Sequence, residues 1–146
     1  MSIVNKMPMR TKSVNFITPV ENDGTEIKTL VIDRKGFQSL SLTLSWATAS
    51  GSPTTPVTAF SIWSNTASHV SSPTPILLAT LETVLDIKTA AVKQYDIDLS
   101  NASRYIFVVY DATYSDGSSP KNVVSCVGSL GDANIQPAFG TTPYGR

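Results

Sequence analysis

The chain has 146 residues, of which 41% are hydrophobic and only 15% are charged, and its 11 basic residues balance 11 acidic ones. An average soluble protein carries about 25% charged residues, so this surface is polar but weakly charged; Ser and Thr supply about a quarter of the chain. Zero net charge argues against a protein that binds nucleic acid through its phosphates, which requires a positive surplus. It also removes the charge repulsion that keeps identical molecules apart.

One domain is the default at this length, and such a domain buries enough surface to fold without metals or disulfides. The single cysteine, Cys126, excludes an intrachain disulfide and lies in an apolar run, which predicts a buried residue rather than a reactive thiol. The first residues do not resemble a signal peptide, and every apolar run is far shorter than a membrane span. We therefore expect synthesis in a host cytoplasm and no membrane contact.

Alternation of apolar and polar residues dominates the chain and predicts a succession of β-strands. The third is the clearest, because apolar residues from Leu40 to Trp46 alternate with Ser and Thr. The run from Tyr105 to Tyr110 is apolar on both faces, which is typical of a central strand covered on each side. The predicted strands are 14–17, 27–32, 40–46, 60–63, 77–81, 84–87, 95–99, 105–110 and 123–127.

These short strands, with Gly, Pro and Ser between them, predict an all-β fold: an antiparallel β-sandwich or jelly-roll-like barrel of about eight strands with extended terminal arms. We divide the chain into an N-terminal arm (1–12), a β-sandwich domain (13–130) and an extended C-terminal tail (131–146). Two Ser/Thr/Pro loops interrupt the strands at 47–57 and 64–75. Between the last two strands, the pair Asp116-Gly117 favours a tight reversal.

The terminal segments carry the candidate interface residues. Proline stiffens an extended segment and removes a hydrogen-bond donor, while aromatic rings provide apolar surface to bury. A tail of this composition suits a subunit that clasps a neighbour, although a tail packed on its own domain is an open alternative. The predicted contact residues are Arg10 in the slightly basic arm and Pro137, Phe139, Pro143 and Tyr144 in the tail.

The sequence offers little for catalysis or metal binding. The one histidine, His69, lies in a Ser/Pro loop with no carboxylate at fixed spacing, so a catalytic triad would need partners that no pattern indicates. One Cys and one His argue against a zinc site. Asp96 and Asp98 share a strand face, but their spacing matches no calcium-binding loop. We predict no enzyme, no cofactor, no metal and no small-molecule substrate.

The two tryptophans allow another interpretation. Trp46 and Trp63 could form a sugar-stacking platform, but both continue the apolar registers of their strands, which favours the core. A carbohydrate- or receptor-binding module that uses Trp63 and the loop at 64–75 remains an alternative.

Segments 95–109, 127–133 and 136–137 resemble small virion proteins of tailed bacteriophages. In that group an Asp-Leu pair followed by Arg-Tyr precedes a hydrophobic strand, as Asp98, Leu99, Arg104 and Tyr105 do here. A Gly-Asp-Ala turn and a terminal proline come later, and the resemblance spans roughly residues 25–137. The long loops at 47–57 and 64–75 depart from the compact pattern.

Within that group, the size and the β-sandwich are similar to capsid decoration (cement) proteins, which often sit as trimers over capsomer junctions. The resemblance implies a homotrimer that binds the major capsid protein on the outer surface of the virion and does not contact nucleic acid directly. Arg104 is expected to form a structural ion pair, with a contact to the capsid as a second possible role. A tail or head-to-tail connector component is the alternative within the same particle.

Overall fold

The computed structural model describes residues 11–133. Within this range the chain forms nine β-strands and no helix. The strands are β1 (Lys12–Asn22), β2 (Ile27–Lys28), β3 (Ile32–Asp33), β4 (Phe37–Trp46), β5 (Pro56–Asn65), β6 (Ile76–Asp86), β7 (Ala91–Asp98), β8 (Tyr105–Tyr114) and β9 (Asn122–Ala133).

The strands pair into two antiparallel sheets that enclose one hydrophobic core. Sheet A has the strand order β1-β9-β4-β7, and sheet B has the order β2-β8-β5-β6, with β3 also paired to β8. The prediction of an all-β antiparallel sandwich is confirmed, with nine strands in the described range where about eight were predicted. In the described range no strand pairs with strands of both sheets, so side-chain contacts, chiefly those of the core, hold the sheets together.

Strand β4, in the middle of sheet A, shows how the sequence builds the sandwich. Leu40, Leu42 and Leu44 point into the core and are at most 1% exposed, while the Ser and Thr between them face outward. Burying one such side chain contributes about 1.5–3 kcal/mol. Trp46 is also buried, and its indole N–H donates to the carbonyl of Thr89 over 2.8 Å, which confirms its predicted core position.

Strand β8 is the central strand of sheet B. It pairs with β5 on one side and with β2 and β3 on the other. Ile106, Val108 and Tyr110 face the core, whereas Phe107 is 1% exposed but points to the opposite face of the sheet and lies outside the core cluster. The predicted central position of this run is therefore confirmed, and its outer face is covered fully only at Phe107, since Tyr105 and Val109 are partly exposed.

Three of the predicted strands are divided or joined differently in the structure. The predicted strand 27–32 is split into β2 and β3, because the four steps from Lys28 to Ile32 lie opposite only three on β8, which interrupts the pairing. Leu30, within the interruption, is 83% exposed. Thr29 Oγ1 accepts the backbone N–H of Val108 over 3.0 Å, which anchors the break to β8. The predicted strands 77–81 and 84–87 form one strand, β6, whose extra residues are absorbed by three register shifts against β5.

The loop before β5 and the connection from β8 to β9 lock together at one end of the sandwich. Ser118 N donates to the Gly51 carbonyl over 2.9 Å, and Thr54 N donates to Asp116 Oδ1 over 2.7 Å. Gly51 has φ = 75°, and a Cβ there would lie 2.5 Å from the Ser118 carbonyl oxygen, so the close approach requires glycine. The reversal favoured by Asp116-Gly117 is not a hairpin, because β8 and β9 belong to different sheets.

Arg34 closes the opposite end of the sandwich. Its guanidinium donates to the carbonyl of Ser103 over 2.9 Å, to that of Phe37 over 2.8 Å, and to that of Ala102. The planar fork of an arginine presents several donors at fixed angles. One side chain therefore joins the start of β4 to the loop before β8.

The predicted domain limits of 13 and 130 fall close to the start of the first strand and the end of the last strand in the described chain. Strand β1 begins at Lys12, and β9 continues to Ala133. The limits themselves stay predictions, since residues 1–10 and 134–146 lie outside the described range.

Candidate assembly surface

The outer face of sheet A is a regular array of short side chains. Opposite residues on neighbouring strands share a face, so the outward positions of β4 fall in rows with those of β9, β7 and β1. One row contains Ser13, Ser129, Ser41 and Asp96, and the next contains Asn15, Val127, Thr43 and Gln94. The flanking positions are Ser39, Gly131 and Asp98 on one side, and Ser45, Ser125 and Val92 on the other.

The centre of this face carries almost no charge. Strand β4 has no charged residue, and the only one in β9 is Asp132, near its end. The hydroxyls bond to one another and to nearby amides: Ser45 Oγ and Ser125 Oγ are 2.7 Å apart, and Gln94 Nε2 donates to Ser41 Oγ over 2.9 Å. Such groups can lose water at low cost when a partner covers them, because much of their hydrogen bonding is already internal.

Valine side chains add apolar surface to the same sheet. Val127 is 48% exposed at the centre of the face, and Val92 is 67% exposed on β7. A shallow depression beside Val92 is lined by Val123 and Ser125 of β9 and by Ser45 of β4. We call the outward residues of β1, β9, β4 and β7 the sheet A face.

The acidic residues of this face lie at its margin. Asp96 and Asp98 occupy the edge strand β7. The pKa of Asp98 is lowered, because its carboxylate accepts the backbone N–H of Ser100 over 2.9 Å. Within residues 11–133, no group of three or more His, Cys, Asp or Glu side chains is placed to hold a metal ion.

The edges of both sheets are poorly suited to pairing with strands of another molecule. Strand β1 contains Pro19 and two register shifts, β2 and β3 have two residues each, and β6 has three register shifts. Bulges, proline and very short strands are known means of protecting an edge. Association through the faces is therefore favoured over edge-to-edge pairing.

The regular edge strand β7 carries an inward charge, which protects edges in the same way. Lys93 lies opposite the buried Leu44 and reaches Glu82 on β6, at 2.5 Å between Nζ and Oε2. Tyr95 O–H donates to the same carboxylate oxygen over 2.8 Å. These bonds lower the pKa of Glu82 despite its desolvation, and burial raises the pKa of Tyr95. We call the contacts of Lys93 and Tyr95 with Glu82 the clasp; it joins sheets A and B along one side.

The two ends of the described range lie on neighbouring strands, β1 and β9, at the same end of sheet A. Lys12, at the start of β1, pairs with Leu130 near the end of β9, and β9 ends at Ala133 opposite Phe37. The segments 1–10 and 134–146 therefore start close to the same surface. The predicted contact residues Arg10, Pro137, Phe139, Pro143 and Tyr144 lie outside the described residues.

Arg104 forms the structural ion pair that was expected of it, with Asp33 of β3 as the partner. Nε and Nη2 reach the two carboxylate oxygens over 3.0 and 2.8 Å, and the guanidinium lies 5.2 Å from the Tyr105 ring centre. The hydrogen bond from Arg104 lowers the pKa of Asp33 to about 2. Both side chains are partly exposed at the end of the sandwich, away from the sheet A face.

The structure corrects the prediction for Trp63. Phe60 and Ile62 are the residues of β5 that point into the core, so Trp63 points to the outer face of sheet B and is partly exposed. It lies beside Phe107 under the loop 66–75. His69 is exposed in that loop.

Cys126 is fully buried in the core, as predicted, and burial raises the pKa of its thiol to about 12. In the described part of the chain, no helix combines the length and hydropathy needed to cross a membrane.

Sequence analysis did not identify the sheet A face as a site. The only indication of this face in the sequence is the absence of charged residues from two segments, 37–46 and 122–131. This absence has no evident meaning until the two segments are known to be neighbouring strands. It also missed the clasp of Lys93 and Glu82, because these residues lie on strands of different sheets.

Solved structures of similar fold come from a virus. The chain is similar to the VP2 subviral particle of infectious bursal disease virus, with a TM-score of 0.54 and 14% identity over 88% of this chain and 34% of that one. For the T=1 particles derived from the same virus, the TM-score is 0.56 and the identity 13%, over 87% of this chain and 32% of that one. The chain spans about a third of the length of these viral chains.

No protein-family model and no curated protein sequence matches the chain. At these identities, the similarity to the viral structures is a similarity of fold. The chain is a two-sheet antiparallel β-sandwich of a kind that is also found in proteins of virus particles.

Proposed function

We propose that this chain is a structural protein of a virus particle, specifically a decoration protein that binds the outer surface of a tailed-bacteriophage capsid. It binds the major capsid protein through the sheet A face and stabilises the shell, and it carries out no chemical reaction. The observation that carries the proposal is the array of Ser, Thr and Val on the outward sides of β4 and β9, which carries no charge except Asp132 near the end of β9. Both ends of the described range lie at one end of the same sheet. The similarity of fold to virus-particle proteins supports the same class of function.

The size of the sheet A face explains why the terminal segments matter. Four strands spaced by about 4.8 Å, over eight paired positions of about 3.3 Å, cover roughly 500 Å². Contact with one partner would bury roughly 1,000 Å² in total, below the ~1,600 Å² of a standard protein interface. Segments 1–10 and 134–146 can add the missing area over neighbouring molecules, and repetition over a symmetric shell multiplies a weak contact.

The absence of charge suits this role. A charged group that is covered by a partner costs several kcal/mol unless it is paired, whereas hydroxyls bonded to one another do not. The homotrimer that the resemblance implies is part of the proposal, and the mass of the purified chain in solution tests it.

The test is reconstitution on particles assembled without this chain. Purified chain is added, unbound protein is removed by sedimentation, and the bound copies are counted. We expect saturation at many copies per shell and release of the genome at a higher temperature than from bare particles. Binding of only a few copies at one vertex would instead indicate a tail or head-to-tail component, and no binding would refute the proposal.

A further inference from the structure

A small hollow opens on the outer face of sheet B, opposite the sheet A face. Trp63 of β5 and Phe107 and Val109 of β8 form its floor, and Val70 and Pro75 of the loop 66–75 form a wall. Glu26 and Lys28 stand at the rim, with 3.7 Å between the carboxylate and the ammonium. None of these residues belongs to the hydrophobic core.

The wall of this hollow is fixed before any ligand arrives. Asn65 is 2% exposed, and its amide N–H₂ donates to the carbonyls of His69 over 2.9 Å and Pro73 over 2.7 Å, which holds the loop against β5. Trp63 Nε1 donates to Ser61 Oγ over 2.9 Å, so the indole ring also has a set orientation. A preformed site binds with a smaller loss of conformational entropy.

The volume of the hollow indicates what can fill it. It measures about 130 Å³, whereas sites for small molecules typically measure about 300–1,000 Å³. It therefore fits a single anchoring side chain better than a sugar or a metabolite. An aromatic floor with a proline wall is the kind of groove that binds proline-containing extended segments.

We propose that the hollow binds the side chain of Tyr144 from a second copy of this chain, with Pro143 beside it at the rim. The inference rests on the proposed function, since it requires that copies lie side by side on a surface. Tyr144 follows the end of β9 at Ala133 by eleven residues, so it can lie up to about 36 Å away, beyond the ~33 Å length of a ten-residue strand. Phe139, six residues after Ala133, reaches only about 20 Å.

The direction of β9 favours a second copy over the same chain. The strand ends on sheet A, while the hollow opens on the outer face of sheet B. A segment entering the hollow of its own molecule must turn around the end of the sandwich and run back. A segment entering the hollow of an adjacent copy also crosses from the sheet A side to the sheet B side, but it does so without running back along its own molecule.

Disulfide trapping on the reconstituted particle tests this. Two variants of the chain, Val70→Cys and Gly145→Cys, are distinguished by a tag, mixed, bound to particles and mildly oxidised; both keep the anchoring Tyr144. The native Cys126 is buried and does not compete. We expect a mixed dimer at least ten times more abundant than with the control Thr113→Cys, an exposed residue at the far end of β8.

Three results would overturn the inference. The first is a mixed dimer no more abundant than with the Thr113→Cys control while both variants stay attached, which leaves the proposed function intact. The second is a double variant, Val70→Cys with Gly145→Cys, that forms only intramolecular disulfides. The third is saturable binding of free glucose that Trp63→Ala abolishes, which would assign the hollow to a sugar. Failure of the chain to attach at all would refute the proposed function as well.

Discussion

Placing a charge at the centre of the sheet A face should weaken attachment without unfolding the protein. Val127 is 48% exposed, and its row neighbours are Asn15, Thr43 and Gln94, none of which can pair with an introduced charge. In the free subunit, Val127→Lys or Val127→Asp therefore keeps its charge in water. We expect the free energy of unfolding to change by no more than about 0.5 kcal/mol.

Against a shell, the same charge would be covered with no partner. The cost of an unpaired charge at a protein contact is several kcal/mol, and about 3 kcal/mol corresponds to roughly a hundredfold loss of affinity. Testing both signs separates this effect from simple attraction or repulsion by the shell, which would weaken one variant and strengthen the other. The assay is co-sedimentation with particles that lack the chain, over a range of chain concentrations.

The matched control is Thr113→Lys, which adds the same charge at an exposed position on sheet B. We expect it to bind as the unaltered chain does. Equal binding of both Val127 variants and the control would refute the assignment of the sheet A face as the contact surface.

Four further outcomes follow from the fold. Arg34→Ala removes three hydrogen bonds from a charged donor to backbone carbonyls and should lower the free energy of unfolding in urea by about 2–4 kcal/mol, while the exposed neighbour Lys35→Ala should change it by under about 0.5 kcal/mol. Gly51→Ala forces a Cβ against a carbonyl oxygen and should lower the unfolding midpoint by several degrees. The pKa of Asp33 is lowered to about 2. Its ion pair with Arg104 therefore stabilises the fold above pH ~4, by at most about 1 kcal/mol because the pair is partly exposed, and this stabilisation is lost as the pH falls toward 2. The difference in free energy of unfolding between the unaltered chain and Asp33→Asn should disappear over that range. Cys126 should resist a thiol reagent in the native protein and react fully in denaturant, and rapid native labelling would contradict its burial.

The sequence was sufficient for features that one strand determines by itself. In residues 40–46 the alternation specifies both the strand and its buried side, so Leu42 and Trp46 were placed correctly. The apolar run 105–110 was likewise recognised as central, because a run that is apolar on both faces is typical of a central strand.

Features that depend on how two strands pair could not be predicted from the sequence. Trp63 follows Ile62, and only the inward direction of Phe60 and Ile62 shows that the indole faces away from the core. The single strand β6 was divided in the prediction, because bulges against β5 shift the alternation along it.

The candidate site is harder to predict than the fold for the same reason. The sheet A face joins strands 12–22, 37–46, 91–98 and 122–133, which are far apart in the chain. No pattern within any one of these strands shows that the outward sides of all four form a continuous surface. The low overall charge was visible from the composition. That two neighbouring strands, β4 and β9, carry almost none of the charge was not.

The most direct test of the central claim is a cryo-electron microscopy reconstruction of particles carrying this chain, at a resolution that separates the two sheets. We expect β4 and β9 to lie against the capsid protein, with Thr43 and Val127 in contact with it. A density in which that surface points to solvent, while the sandwich is attached through another part, would contradict the account.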